Sequence, residues 1–240
     1  MPRHLSFAFM RAYDLSEEIE NYAGMNVVGV TEITDCPRRA YWKRKEAIEP
    51  LTWDSFVRIH TGSAWHQSLE PFARPAIMWA ELPIGLSIND RWVLVGVIDA
   101  YDPLRGELWE IKTTGWQNYA NNRLPFEEHI RQAGIYTWML HQAGVYPKRV
   151  RIFYLFREAR RNGKQWVDYD VPLDDLEKEY HYIDAFIDAL EEALESDDPS
   201  TLPLLPEDKR FKCERCAWRN KCLPRKEGQV TLEVSTDERI

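Results

Sequence analysis

The carboxylate Asp99 closes the apolar run Val93-Leu94-Val95-Gly96-Val97-Ile98, and Glu110-Ile111-Lys112 begins eleven residues after it. A carboxylate at the end of an apolar strand is costly unless it meets a cation or a donor. Residues two apart on a strand share a face, so Glu110 and Lys112 point together, and Trp109 and Ile111 are expected in the core. If the two strands pair, Asp99 and Glu110 converge on one ion. Two carboxylates with water form the hard-oxygen environment that suits Mg2+ or Mn2+. A lysine beside that ion could orient the attacking water or stabilise charge developing on phosphorus. Glu-x-Lys alone is a weak pattern and equally fits a solvated hairpin.

The surrounding elements decide between these readings. Residues 76–88, 92–101 and 107–113 are apolar or alternating and are separated by the turn-like pairs Asn89-Asp90 and Asp102-Pro103, which predicts three antiparallel strands. Residues 126–143 have helical period and stop at Gly144, a good termination signal. Residues 149–156 and 164–171 read as strands around Asn162-Gly163, and 173–195 as a long acidic amphipathic helix. Before the strands, one helix is expected from Thr31 to about Ala47, capped by Thr31 or Thr34 with Pro37 in its first turn, and another from Ser55 to Ala73. Residues 1 to about 24 read as a short polar helix and turn. Helices, three strands, helix, strands and helix give an α/β arrangement around a mixed sheet.

On the helix after the hairpin, Gln132 and Tyr136 are four apart and share a face. Upstream, Gly62 and His66 have the same spacing, with Glu70 one turn further. Taken in order, Gly62-x-x-x-His66, Gly96-Val97-Ile98-Asp99, Glu110-x-Lys112 and Gln132-x-x-x-Tyr136 resemble the RecB-type branch of the PD-(D/E)xK nuclease superfamily. The resemblance implies a restriction-endonuclease-like core. Asp99 and Glu110 would bind a divalent metal, with the Ile111 carbonyl and His66 as further ligands. Imidazole is a softer donor, which favours Mn2+ over Mg2+. Lys112 would handle the nucleophilic water, and Gln132 and Tyr136 would contact the DNA backbone or support the site.

Four cysteines remain, Cys36 near the start and Cys213-x-x-Cys216-x5-Cys222 near the end. The C-terminal spacing suits a metal site, and four thiolates complete either a zinc site or an iron–sulfur cluster. By spacing alone zinc is the commoner answer. A single cysteine followed by Pro37-Arg38-Arg39 ahead of the nuclease core, with three cysteines after it, resembles the iron–sulfur nucleases. These include the nuclease subunit of certain recombination helicases, a eukaryotic replication helicase–nuclease, and the small CRISPR-associated exonucleases. That likeness implies an iron–sulfur cluster, of the 4Fe-4S kind, with a structural role. It would form a small cysteine-rich region joining the two chain ends. No Gly-x-x-x-x-Gly-Lys-[Ser/Thr] phosphate loop occurs in the sequence, so the helicase-fused relatives fit less well than the CRISPR-associated family. Its implied activity is single-strand DNA exonuclease, 5′→3′, trimming DNA before the CRISPR integrase inserts it. A free-standing or viral nuclease of repair and recombination, or a catalytically silent DNA-binding scaffold, is the competing expectation. The expected partners are single-stranded or partly single-stranded DNA, the CRISPR integrase, and copies of the chain in a homo-oligomer.

Bulk composition is compatible with this. The chain has 240 residues, 44% hydrophobic and 29% charged, an ordinary globular balance with room for one full core. The expected division is an N-terminal extension over 1–25, the nuclease domain with its cysteines over 26–224, and a polar tail over 225–240. A net charge of −8 argues against coating nucleic acid by bulk electrostatics. Basic residues do cluster locally, at Arg38, Arg39, Lys43, Arg44 and Lys45 and at Arg157, Arg160, Arg161 and Lys164. No signal peptide and no long apolar span is evident, so the expected setting is the reducing cytoplasm, with no membrane.

Overall fold

The computed structural model of the chain describes residues 24–46, 79–157, 163–173 and 177–223. His66 and Gly62, the helix expected over 55–73, the N-terminal extension before Gly24 and the tail lie outside the described residues.

The expected α/β fold with a mixed sheet flanked by helices is found. A short strand β1 (Asn26–Gly29) leads into the helices α1 (Val30–Ile33) and α2 (Pro37–Lys45). Three long strands follow, β2 (Trp79–Ser87), β3 (Trp92–Asp102) and β4 (Glu107–Thr114), with β3 antiparallel to β2 and β4 and parallel to β1. The short helix α3 (Trp116–Ala120) and the helix α4 (Glu127–Gln142) then lead to β5 (Arg149–Phe156), which lies parallel to β4. Parallel neighbours need a crossover, and α4 supplies it. An antiparallel β6 (Trp166–Val171) completes the sheet, followed by α5 (Glu177–Glu195), two 3-10 segments (Pro199–Thr201 and Glu207–Arg215) and α6 (Arg219–Cys222).

Two local expectations are corrected. The single helix expected over 31–47 is two. Pro37 disfavours helical backbone at the residue before it, and Cys36 takes φ −91° and ψ 119°. The chain therefore restarts at Cys36, with Pro37 in the first turn of α2. Thr34 closes α1, its hydroxyl donating to the Val30 carbonyl at 3.2 Å. The second correction concerns β4. Leu108 and Glu110 are fully buried, whereas Trp109 and Ile111 are only half-buried. The Trp109 side lies with Phe153 and under the Arg151 guanidinium.

The core lies under α4 and α5. Ile183, Phe186, Ile187, Leu190 and Ala193 form the buried stripe of α5, a three-and-four spacing that keeps one face inward. On α4, Gln132 through Thr137, Met139 and Leu140 are all buried. The helix is therefore held between the sheet and α5 rather than lying on the surface. Close approach of the two helices requires Gly134, where a Cβ would stand 3.0–3.1 Å from the Glu179 side chain.

The β3–β4 turn sets the register that the candidate site depends on. Asp102 is buried and accepts from the Leu104 and Arg105 amides at 2.9 and 3.1 Å and from the Arg105 guanidinium at 2.7 Å. Burial opposes its charge, but these donors outweigh it and hold the carboxyl below its ordinary value. Its contribution to stability is thus present above the ordinary carboxylate range and lost as pH falls through the depressed pKa. Asp102→Ala is expected to cost about 2 kcal/mol, read as a lower urea midpoint at unchanged slope. Asp102→Asn keeps an acceptor for the two amides and should cost less.

Candidate active site

A gap in the hydrogen-bonding ladder organises the site. β2 pairs along one edge of β3 from Val93 to Tyr101. β1, pairing Trp92–Val95, and β4, pairing Ala100–Asp102, must therefore share the other edge. Between them, among the described residues, the strand ladders on that edge stop at Val95 and resume at Ala100, stepping over Gly96-Val97-Ile98-Asp99. These four residues are the apolar-to-acid segment that the sequence singled out.

Side chains satisfy the backbone groups released by the gap. Continued by one step, the Ala100↔Trp109 register sets Asp99 across from Glu110, where the strands part. Asp99 Oδ2 accepts the Ile111 amide at 2.6 Å, a group that continued pairing with β3 would have used. On the other side of the gap, Tyr136 of α4 enters. Its hydroxyl accepts from the Val97 amide and from the Gln132 side chain. Its ring needs Gly96 beneath it, because a Cβ there would stand 2.5 Å from Cε1 and 3.0 Å from the hydroxyl. Gly96→Ala is expected to cost about 1–3 kcal/mol by overpacking. It should also lower activity more than stability, since the displaced ring belongs to the site. A thermal melt and a cleavage rate on the same sample check this.

The sequence-predicted residues Asp99, Glu110, Lys112, Gln132 and Tyr136 are thus brought together. Lys112 and Glu110 form an ion pair on the face that α4 covers. Burial works against the lysine's charge, but Glu110 and Asp99 together outweigh it and raise its pKa. Burial, then Glu110 and Asp99, raise that of Tyr136 strongly, so it remains a neutral phenol. Two buried carboxylates that both act on Lys112 offer hard oxygen donors of the kind a divalent cation takes, with a lysine to offset their charge. The Ile111 carbonyl belongs to the residue whose amide Asp99 already holds. His66 lies outside the described residues.

Sequence reasoning missed Tyr154 and His129. Tyr154 is paired in register with Lys112 across β4 and β5. Its hydroxyl accepts the Phe126 amide at 3.0 Å and lies 2.8 Å from His129 Nδ1. The available signal was spacing, since His129 precedes Gln132 by one helical turn.

The four cysteines also converge from the two ends of the described chain. Cys36 lies within electrostatic range of Cys213, Cys213 of Cys222, and Cys216 of both. Burial pushes the Cys36 thiol up to about 11, against the pull of the Arg39 and Arg38 amides. Among the described residues no group of three or more His, Cys, Asp or Glu is drawn close enough to form a metal-ligand shell. The first basic cluster serves this region. Arg38 donates to the Leu202 and Ser200 carbonyls at 2.8 and 3.3 Å, and Trp42 lies beneath the Lys221 ammonium. Trp218, almost wholly buried, donates to Glu46, which also pairs with Lys221. After β4, Tyr119 of α3 packs on Phe156, while Asn121 and Arg123 beyond it are exposed.

Comparison with known proteins bears on this geometry. A family model described as the PD-(D/E)XK nuclease superfamily matches residues 73–223. That span holds Asp99, Glu110, Lys112, Gln132, Tyr136 and the three C-terminal cysteines, but neither His66 nor Cys36. Among solved structures, the crystal structure of SSO0001 is similar over 95% of this chain and 98% of its own, with a TM-score of 0.57 and 16% identity. At that identity the likeness is one of fold. No curated protein sequence matches the chain.

Proposed function

The chain belongs to the PD-(D/E)XK nuclease superfamily, and from this we propose that it is a metal-dependent deoxyribonuclease that degrades single-stranded DNA from an end, 5′→3′. The observation that carries the proposal is Asp99 set opposite Glu110 at the opening of the sheet, with Lys112 on the same face.

Asp99, Glu110 and the Ile111 carbonyl would hold Mg2+ or Mn2+, with His66 as a fourth ligand. Such an ion supplies an acidified water and charge stabilisation at phosphorus. The chain's own groups do the rest. Lys112, held as a cation by its two carboxylates, faces negative charge as it develops. The Ile111 amide fixes the Asp99 carboxylate. Tyr136, oriented by Gln132 and the Val97 amide, closes one side of the opening and limits access of water. The backbone of a threaded strand would be held by basic side chains, so affinity should fall with rising salt.

We further propose an iron–sulfur cluster on Cys36, Cys213, Cys216 and Cys222, fastening the two ends of the chain. Convergence of the four thiols supports it, as do the Arg39, Arg210 and Arg219 cations that act on them. Zinc on the same ligands is the second reading. Colour separates the two, because an iron–sulfur protein is brown and a zinc protein colourless. The cysteine layout supports a role in trimming DNA before its insertion by a CRISPR integrase, in preference to free-standing repair or viral nuclease activity.

The test uses anaerobically purified protein with 5′- and 3′-labelled single-stranded DNA in Mn2+, Mg2+ or EDTA, beside Asp99→Ala. Metal-dependent degradation that the variant lacks is the expected result, and the two labels report direction. Folded protein that cleaves nothing in either metal would turn the reading toward a DNA-binding scaffold.

A further inference from the structure

His129 has no part in the cleavage reading above, yet it is held with care. The Tyr154 hydroxyl accepts from the Phe126 amide at 3.0 Å and lies 2.8 Å from His129 Nδ1. The hydroxyl oxygen could accept twice, but among the described residues its own proton has no acceptor other than Nδ1, so the tautomer that satisfies it is the one that accepts there. Nδ1 is then an acceptor, and the imidazole proton is assigned to Nε2. Burial and the nearby Lys112 cation lower the ring's pKa to about 3, which keeps it neutral. The result is a fixed, uncharged N–H donor beside the catalytic lysine that does not compete for the carboxylates.

The ring forms part of the wall of a cavity of about 300 Å3 between α1, α2 and α4, at the small end of the range for ligand clefts. Gln132, whose amide also reaches Tyr136, lines the same cavity, so it begins where the catalytic group ends. Arg39, Lys43 and Lys212 line it as well. The acids in the wall are already engaged: Arg44 holds Glu32, Arg39 and Lys212 hold Asp35, and Lys212 also holds Glu128. With Arg44 set against Glu32, the cations Arg39, Lys43 and Lys212 exceed the remaining acids Asp35 and Glu128 by one charge, a balance that suits a phosphate diester and offers little to an apolar ligand.

We propose that this cavity takes a backbone phosphate of the DNA strand flanking the reacting one, with His129 Nε2–H as its donor. The inference rests on the nuclease reading and names the path of the strand, from the sheet opening toward the cysteine region.

The test scans single-stranded oligonucleotides, each carrying one neutral methylphosphonate at a successive position, in Mn2+. With the unaltered protein, kcat/KM is expected to fall about tenfold, mainly through KM, at one flanking position, as for loss of one charge-assisted hydrogen bond. His129→Phe should lose about tenfold on the all-phosphate strand and become insensitive to methylphosphonate at that position alone. A uniformly lowered but unchanged position profile in His129→Phe makes the residue structural and overturns the proposal. Lys43→Ala, on another wall of the cavity, provides the same readout if His129→Phe does not fold, and an unchanged profile there overturns it equally. Failure of the unaltered protein to cleave any strand overturns the nuclease reading first, and this inference with it.

Discussion

Asp99→Asn is expected to lower kcat/KM for single-stranded DNA by about 1,000-fold or more, equivalent to roughly 4 kcal/mol of transition-state stabilisation, without unfolding the protein. The substitution isolates the charge. Asparagine keeps an oxygen that can accept the Ile111 amide, so the 2.6 Å bond that fixes the split between β3 and β4 has a replacement. What is lost is one of the two anionic groups proposed to hold the metal, and with it part of the negative field in which Lys112 stands. Asp99→Ala should be equally inactive but less stable, because the Ile111 amide then loses its acceptor, at about 1–3 kcal/mol. In EDTA the asparagine variant should melt no lower than the parent. Two buried carboxylates that share the single cation Lys112 are a cost that the site carries for function. Activity within tenfold of the parent in Asp99→Asn would remove Asp99 from the metal site.

Much of this arrangement was legible in the sequence because it is local. The period of two over 76–113 and the helical period over 126–143 are properties of neighbouring residues, and β2, β3, β4 and α4 formed where they indicated. The spacing of Asp99, Glu110 and Lys112 was readable because a tight turn at Asp102-Pro103 makes a hairpin register local too. Three features were not readable, for a common reason. Alternation in β4 says that Glu110 and Lys112 share a face, but not which face α4 covers. Counting apolar side chains favours Trp109 and Ile111 and gives the wrong side. β1 is four residues long, and its partner lies more than sixty residues away, so no local pattern announces it. The gap at Gly96–Asp99 exists only because β1 and β4 share an edge of β3, a fact of topology. Gly96 could be noticed in the sequence, but its reason, the Tyr136 ring, is forty residues further along the chain.

Cys216→Ser is expected to bleach the protein and lower its melting temperature by more than about 10 °C. The argument concerns what else holds the C-terminal segment in place. Lys209 pairs with Glu127 at 3.1 Å, and Lys212 with Glu128 at 3.2 Å, both at partly exposed positions. Such pairs are worth about 0.2–1 kcal/mol each. Burial of Trp218 adds about 2–3 kcal/mol. A ligand set that joins Cys36 to Cys213 closes a loop of 177 residues (213 minus 36). The chain-entropy model used for disulfides puts such closure at roughly 5 kcal/mol. Cluster ligation would thus be the largest contribution fastening the segment. For a chain of this size each kcal/mol moves the midpoint by about 2–4 °C, which gives the expected drop. Without a cluster, serine for a half-buried thiol is a small change. A visible spectrum and a melt, taken on parent and variant together, therefore discriminate: equal colour and a midpoint within about 2 °C of the parent mean that Cys216 holds no cluster. Because the ion pairs run from the cysteine segment to Glu127 and Glu128 in the first turn of α4, about one helical turn before Gln132, cluster loss should also slow cleavage. That loss of rate should track the fraction of protein bleached, whereas the loss from Asp99→Asn leaves the colour intact.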